Sequence, residues 1–94
     1  MTKEELQEVI KNEDVYVIDI REAEEIENIP SITGSVHMPM GRAFVETVKG
    51  NLPKDKKVIS VCQTGGRCKV ITDHMKANGY NADYLEGGLN AWLA

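Results

Sequence analysis

Two short runs constrain this chain most: Val15-Tyr16-Val17-Ile18-Asp19-Ile20 and Lys57-Val58-Ile59-Ser60-Val61. Each is rich in β-branched residues and largely apolar on both faces. A strand with one wet face alternates apolar and polar residues, so these two read as inner strands of a parallel sheet covered on both sides. Parallel neighbours cannot be joined by a tight turn; each connection must cross back over the sheet, usually as a helix.

The sequence between and around these runs supplies such helices. Thr2 and Glu5 form a capping box that opens a helix over Lys3–Lys11, with Leu6, Val9 and Ile10 as its buried stripe. Ala23–Asn28 reads as a short acidic helix stopped by Pro30, and Gly34–Pro39 as a turn and brief strand. Arg42–Lys49 is amphipathic, with Phe44, Val45 and Val48 expected inward and Gly50-Asn51 ending it. Cys68–Asn78 is helical, with Ile71 and Met75 on one face and Gly79 as its stop. Ala82–Leu85 gives a last strand, Gly87-Gly88 a tight turn, and Leu89–Leu93 a final short helix. This alternation predicts an α/β fold: a three-layer α/β/α sandwich around a mainly parallel sheet of four or five strands. The length of 94 residues fits one domain, 1–94.

Charge and cysteine usage narrow the function. A formal net charge of −4 argues against nucleic acid, which needs clustered Lys and Arg. A small anionic substrate remains open, since net charge says little about one pocket. No apolar run is long enough to span a bilayer, and Met1–Glu5 is too polar to open a signal peptide, so a cytoplasmic address is expected. The two cysteines, Cys62 and Cys68, flank one Gly-rich stretch, which in a reducing compartment suggests a reactive thiol more than a structural disulfide. Two cysteines and two distant histidines do not make a zinc set, so no metal is expected.

In such folds the working groups sit in the loops after the carboxyl ends of strands. Cys62, Asp19 and Arg21 all lie there. The loop Cys62-Gln63-Thr64-Gly65-Gly66-Arg67 joins a strand to a helix. Its glycines let successive N–H groups turn inward, and the helix that follows points its positive end at the same concavity. A thiolate held there has a lowered pKa. Arg67 adds a permanent charge able to fork onto an anion. A Cys closing a buried strand is often only a small hydrophobe. The Gly-Gly-Arg that follows favours an activated nucleophile, because a turn alone would not require the arginine.

This loop resembles the active-site loop of the rhodanese family, six residues from the catalytic Cys to a basic or polar position. Three further stretches agree in order. Val17–Glu22 resembles the family's early strand with its Asp-x-Arg-Glu ending, and Ile32–Pro39 the segment usually ending in Ile-Pro. Gly79-Tyr80 through Leu85-Glu86-Gly87-Gly88 and Ala91-Trp92 is similar to the closing signature. Thr33 stands where Pro is common, one residue is extra near Pro30, and the first short strand is nearly absent at Met1.

The resemblance implies a sulfurtransferase that uses no cofactor. Cys62 would take a sulfane sulfur from a donor such as thiosulfate, become a persulfide, and pass the sulfur to a thiol or cyanide-like acceptor, or to a protein acceptor. The N–H groups of Gln63, Thr64, Gly65, Gly66 and Arg67 would bind the outer sulfur, with Arg67 orienting the anionic donor. Two alternatives stand beside it. One is a sulfur-carrier or protein-interaction module without turnover of its own. The other is a phosphatase or arsenate reductase of the same fold, whose loop is one residue longer; here that position holds Cys68.

Secondary residues have plainer readings. Asp19 and Arg21 are expected to form an ion pair bracing the site. Cys68 reads as helix-start packing, with a redox partnership to Cys62 as the sharper alternative. His37 is placed near the rim, His74 in solvent, Trp92 against the core, and Glu22–Glu27 on a solvated helix face.

Overall fold

The computed structural model describes residues 1–12 and 14–94. Elements alternate as expected: α1 (Lys3–Lys11), β1 (Val15–Asp19), α2 (Ala23–Asn28), β2 (Val36–His37), α3 (Met40–Lys49), β3 (Lys57–Val61), α4 (Gly66–Ala77), β4 (Ala82–Tyr84) and α5 (Gly88–Trp92). The four strands form one sheet in the order β2-β1-β3-β4, with every pairing parallel. The two apolar runs are its inner pair. Among the described residues, no helix is long and apolar enough to cross a membrane.

Each inner strand feeds two cores because successive side chains point to opposite faces. Ile18, Val58 and Cys62 join Met38, Ala43, Cys68, Ile71 and Met75 under α3 and α4. Val17, Ile59 and Val61 join Leu6, Leu85 and Leu89 under α1 and α5. Trp92 packs partly buried against this second core. The capping box is present: the Thr2 hydroxyl accepts from the Glu5 N–H and the Glu5 carboxylate from the Thr2 N–H. Gly50 ends α3 in the left-handed region at φ 73°.

Register places the site. Asp19 pairs with Val61 and with His37, so β1, β2 and β3 end at one level. The Ile20 N–H still donates to the Val61 carbonyl at 3.0 Å. The residues that follow on the two strands, Arg21 and Cys62, therefore leave the sheet at the same end.

Helix α3 departs from the expected stripe. It starts at Met40 and buries Ala43 and Thr47, while Val45 and Val48 are 48% and 68% exposed. The small pair at i and i+4 is buried, and the Thr47 hydroxyl removes its own polarity by donating to the Ala43 carbonyl at 2.7 Å. Phe44, partly buried, packs against the His74 ring at a centroid distance of 4.6 Å. His74 is thus a packed side chain at the α3–α4 seam rather than a solvated one, and its Nε2 is buried without a protein partner.

Candidate functional site

Cys62 follows the last residue of β3, and α4 begins at Gly66, so the loop between them is only four residues long. The turn is possible because Gly65 adopts φ 102°, outside the range open to other residues. In that conformation the Gly65 N–H reaches back to the Cys62 Sγ at 3.0 Å. Cys62 is 0% exposed and Cys68, in the first turn of α4, is equally buried.

The two buried thiols part in acidity. The Cys62 thiol is lowered to about 5, first by the bond from the Cys68 thiol. Burial opposes the shift, and the backbone N–H groups of Cys68, Gly65 and Thr64 reinforce it. Cys68 moves strongly upward, because its proton is held by Cys62 and because it is buried.

Asp19 and Arg21 form the expected ion pair, fully buried, with Arg21 Nη2 at 2.8 Å from Asp19 Oδ2 and Nε at 3.0 Å from Oδ1. Burial alone would raise the Asp19 pKa; hydrogen bonds from Arg21 and from the Ser31 hydroxyl outweigh it, and the carboxyl titrates below its usual range. The remaining Arg21 nitrogen, Nη1, donates to the Glu25 carbonyl at 3.2 Å. His37 sits at the end of β2, exposed, with Nε2 2.8 Å from the Arg21 carbonyl. Among the described residues, no three His, Cys, Asp or Glu side chains gather as a metal site would require.

Arg67 extends from the first turn of α4 toward α2. Both terminal nitrogens donate to the Glu25 carboxylate, at 2.9 and 3.0 Å, with the two side chains 38% and 37% exposed. The guanidinium does fork onto an anion, but the anion is a carboxylate of the chain itself. The acidic run is therefore not uniformly solvated: Glu22, Glu24 and Glu27 are exposed, and Glu25 is engaged.

Residues 2–94 match the model of the rhodanese-like domain. The chain belongs to that family. A Bacillus subtilis protein named "Putative sulfurtransferase YtwF" is 32% identical over 86% of this chain and 76% of its own length. A tRNA sulfurtransferase of Desulfurococcus amylolyticus is 32% identical over 86% of this chain, which spans only 15% of that protein. The crystal structure of a rhodanese-related protein from Thermoplasma volcanium matches with a TM-score of 0.85 at 30% identity, covering 99% of this chain and 88% of that one.

In this rhodanese-like domain the loop is braced from a direction the sequence did not reveal. The first N–H groups of α5 point at it: Leu89 donates to the Cys62 carbonyl at 2.9 Å and Asn90 to the Gln63 carbonyl at 3.1 Å. The Asn90 side chain also accepts from the Gln63 amide at 2.6 Å. Gly88 makes this possible, since a Cβ there would strike the Cys62 and Gln63 backbone. The Gly87-Gly88 pair had signalled a tight turn; the closeness behind it depends on a contact between residues far apart in sequence. Gly66 and Thr64 lie exposed at the loop's mouth, over the buried Cys62.

Proposed function

We propose that this rhodanese-like domain transfers sulfane sulfur through a persulfide on Cys62. The observation that carries the reading is the placing of Cys62 directly after β3, with the Gly65 N–H on its Sγ at 3.0 Å and α4 opening at Gly66; in keeping with it, the thiol is lowered to about 5. At neutral pH it is a thiolate, the form that attacks sulfur. With thiosulfate the Cys62 Sγ bonds to the outer sulfur, the donor's S–S bond breaks, and sulfite leaves with the electron pair. The loop N–H groups of Gln63 to Arg67 then serve the outer sulfur as an oxyanion hole serves oxygen. A thiophilic acceptor such as cyanide or a thiolate removes that sulfur and regenerates the thiolate.

In this reading Asp19 and Arg21 do not touch the reacting atoms; their ion pair fixes the strand end beside Cys62. The relative named as a sulfurtransferase, matched over most of both chains, agrees with the class of reaction. Whether the sulfur turns over to a small acceptor or passes to a protein is a question of acceptor, not of the step at Cys62.

The test is intact mass after incubation with thiosulfate or with an alkyl persulfide, comparing wild type with Cys62→Ser. A gain of one sulfur in wild type, removed by cyanide and absent from the variant, is the expected result. No adduct with either donor would overturn the reading.

A further inference from the structure

Arg67 is the only cation in the Cys62 loop, and it is not free. Its two terminal nitrogens are committed to Glu25, so an anionic donor meets a guanidinium already neutralised at contact distance. Arg–carboxylate forks are the strong form of this interaction, and a second anion gains little from a charge already paired. The surroundings add to the effect. Helix α2 carries Glu22 at its start and then Glu24, Glu25 and Glu27, with no Lys or Arg among its residues. A dianion approaching between α2 and the loop therefore meets net negative charge.

Sulfur donors differ in how much they need Arg67. Thiosulfate presents a sulfonate whose oxygens call for a cation, and its leaving group is a dianion. An alkyl persulfide has no such oxygens. In its reaction Cys62 Sγ bonds to the terminal sulfur of RS–SH, the donor S–S bond breaks, the proton stays on the transferred sulfur, and RS⁻ leaves with the electron pair. Nothing in that step requires a guanidinium for the leaving group.

We propose that Glu25 is the positioning residue that sets donor specificity: by holding Arg67 in a two-point pair, it disfavours oxyanionic donors and leaves alkyl persulfides as the preferred class. The inference rests on the reading of Cys62 as the sulfur-accepting thiol and sharpens it.

The test measures the rate of sulfur loading on Cys62 by intact mass, against donor concentration, with thiosulfate and with the persulfide of 2-mercaptoethanol. In Glu25→Gln the half-saturating thiosulfate concentration should fall about fivefold, in keeping with the strength of a half-exposed pair. Persulfide loading should change by less than about twofold. Glu25→Asp keeps the charge and should stay near wild type. In Arg67→Ala the further change Glu25→Gln should have no effect on thiosulfate, because Glu25 acts only through Arg67. Thermal melts of each variant show that the fold is kept. Unchanged or weaker thiosulfate loading in Glu25→Gln, with persulfide loading intact, would overturn the specificity role and leave the sulfurtransferase reading standing. Failure of wild type and variants to load from either donor would bring down both.

Discussion

At the scale of single residues, the most consequential pairing is Cys62 with Cys68. A buried thiolate is costly unless donors replace the water it has lost. Here the Cys68 thiol is the leading donor and the backbone N–H groups follow. Cys68 is buried, as helix-start packing requires, and its thiol is also the first cause of the lowered Cys62 pKa. Removing that thiol should raise the Cys62 pKa. In Cys68→Ala the pH midpoint for alkylation by iodoacetamide should move up from about 5, by about one to two units, whereas Cys68→Ser, which keeps a donor, should stay closer to wild type. A profile unmoved in Cys68→Ala would assign the acidity to the backbone alone. The sign for stability follows from a depressed pKa: ionised Cys62 favours the folded state at high pH, and that contribution fades as pH falls through about 5.

At the scale of elements, α5 is a short helix whose main work is to hold the loop after β3. Its N-terminal N–H groups bond to the Cys62 and Gln63 carbonyls, and Gly88, at φ 58°, lets the two backbones touch. Gly88→Ala should therefore cost stability by about 2 kcal/mol or more and slow sulfur loading on Cys62 as the loop is pushed aside. Gly34→Ala is the matched control. Its φ is also positive, at 88°, but nothing lies within 4 Å of the added carbon. It should cost about 1 kcal/mol and leave loading unchanged. Equal losses in denaturant melts and in loading would mean that the contact with the loop is unimportant.

Strands apolar on both faces, the Thr2–Glu5 box and the glycine stop of α3 are local signals, and each element they mark is present. Hydrophobicity alone points Val45 and Val48 of α3 inward, because valines outrank alanine and threonine on that measure. Where α3 packs closely against α4 and the core, the small Ala43 and Thr47 are buried, and Val45 and Val48 turn out to solvent. His74 escapes such a reading for a related reason: its partner, Phe44, is on another helix.

At the scale of the whole molecule, the site is a meeting of strand ends, and that much could be read from Asp19, Arg21 and Cys62 closing similar apolar runs. The contacts that span the fold could not. Glu25 and Arg67 are 42 positions apart, and Gln63 and Asn90 are 27 apart. No periodicity predicts such pairs; they follow from the tertiary fold, which brings both α2 and α5 against the loop region. The longest such connection begins in the interior. Asp19 holds Arg21, Arg21 holds the Glu25 carbonyl, and the Glu25 carboxylate holds Arg67. Helix α2 buries none of its residues, so this chain of bonds rather than a hydrophobic face fixes it to the domain. Breaking the buried pair should then have a global and a local effect. Asp19→Asn leaves an uncompensated buried guanidinium and should lose about 3–5 kcal/mol in urea melts. Arg21→Met leaves the Asp19 carboxylate buried without its cation and also frees α2, whose amides should lose hydrogen-exchange protection ahead of those in β1 and β3. The acid limb gives an independent check. Because the Asp19 pKa is depressed on folding, its contribution is complete above the ordinary carboxylate range and is lost as pH falls through its lowered value. Asp19→Asn should flatten that part of the stability curve; an acid limb as steep as in wild type would place the sensitivity on other carboxylates.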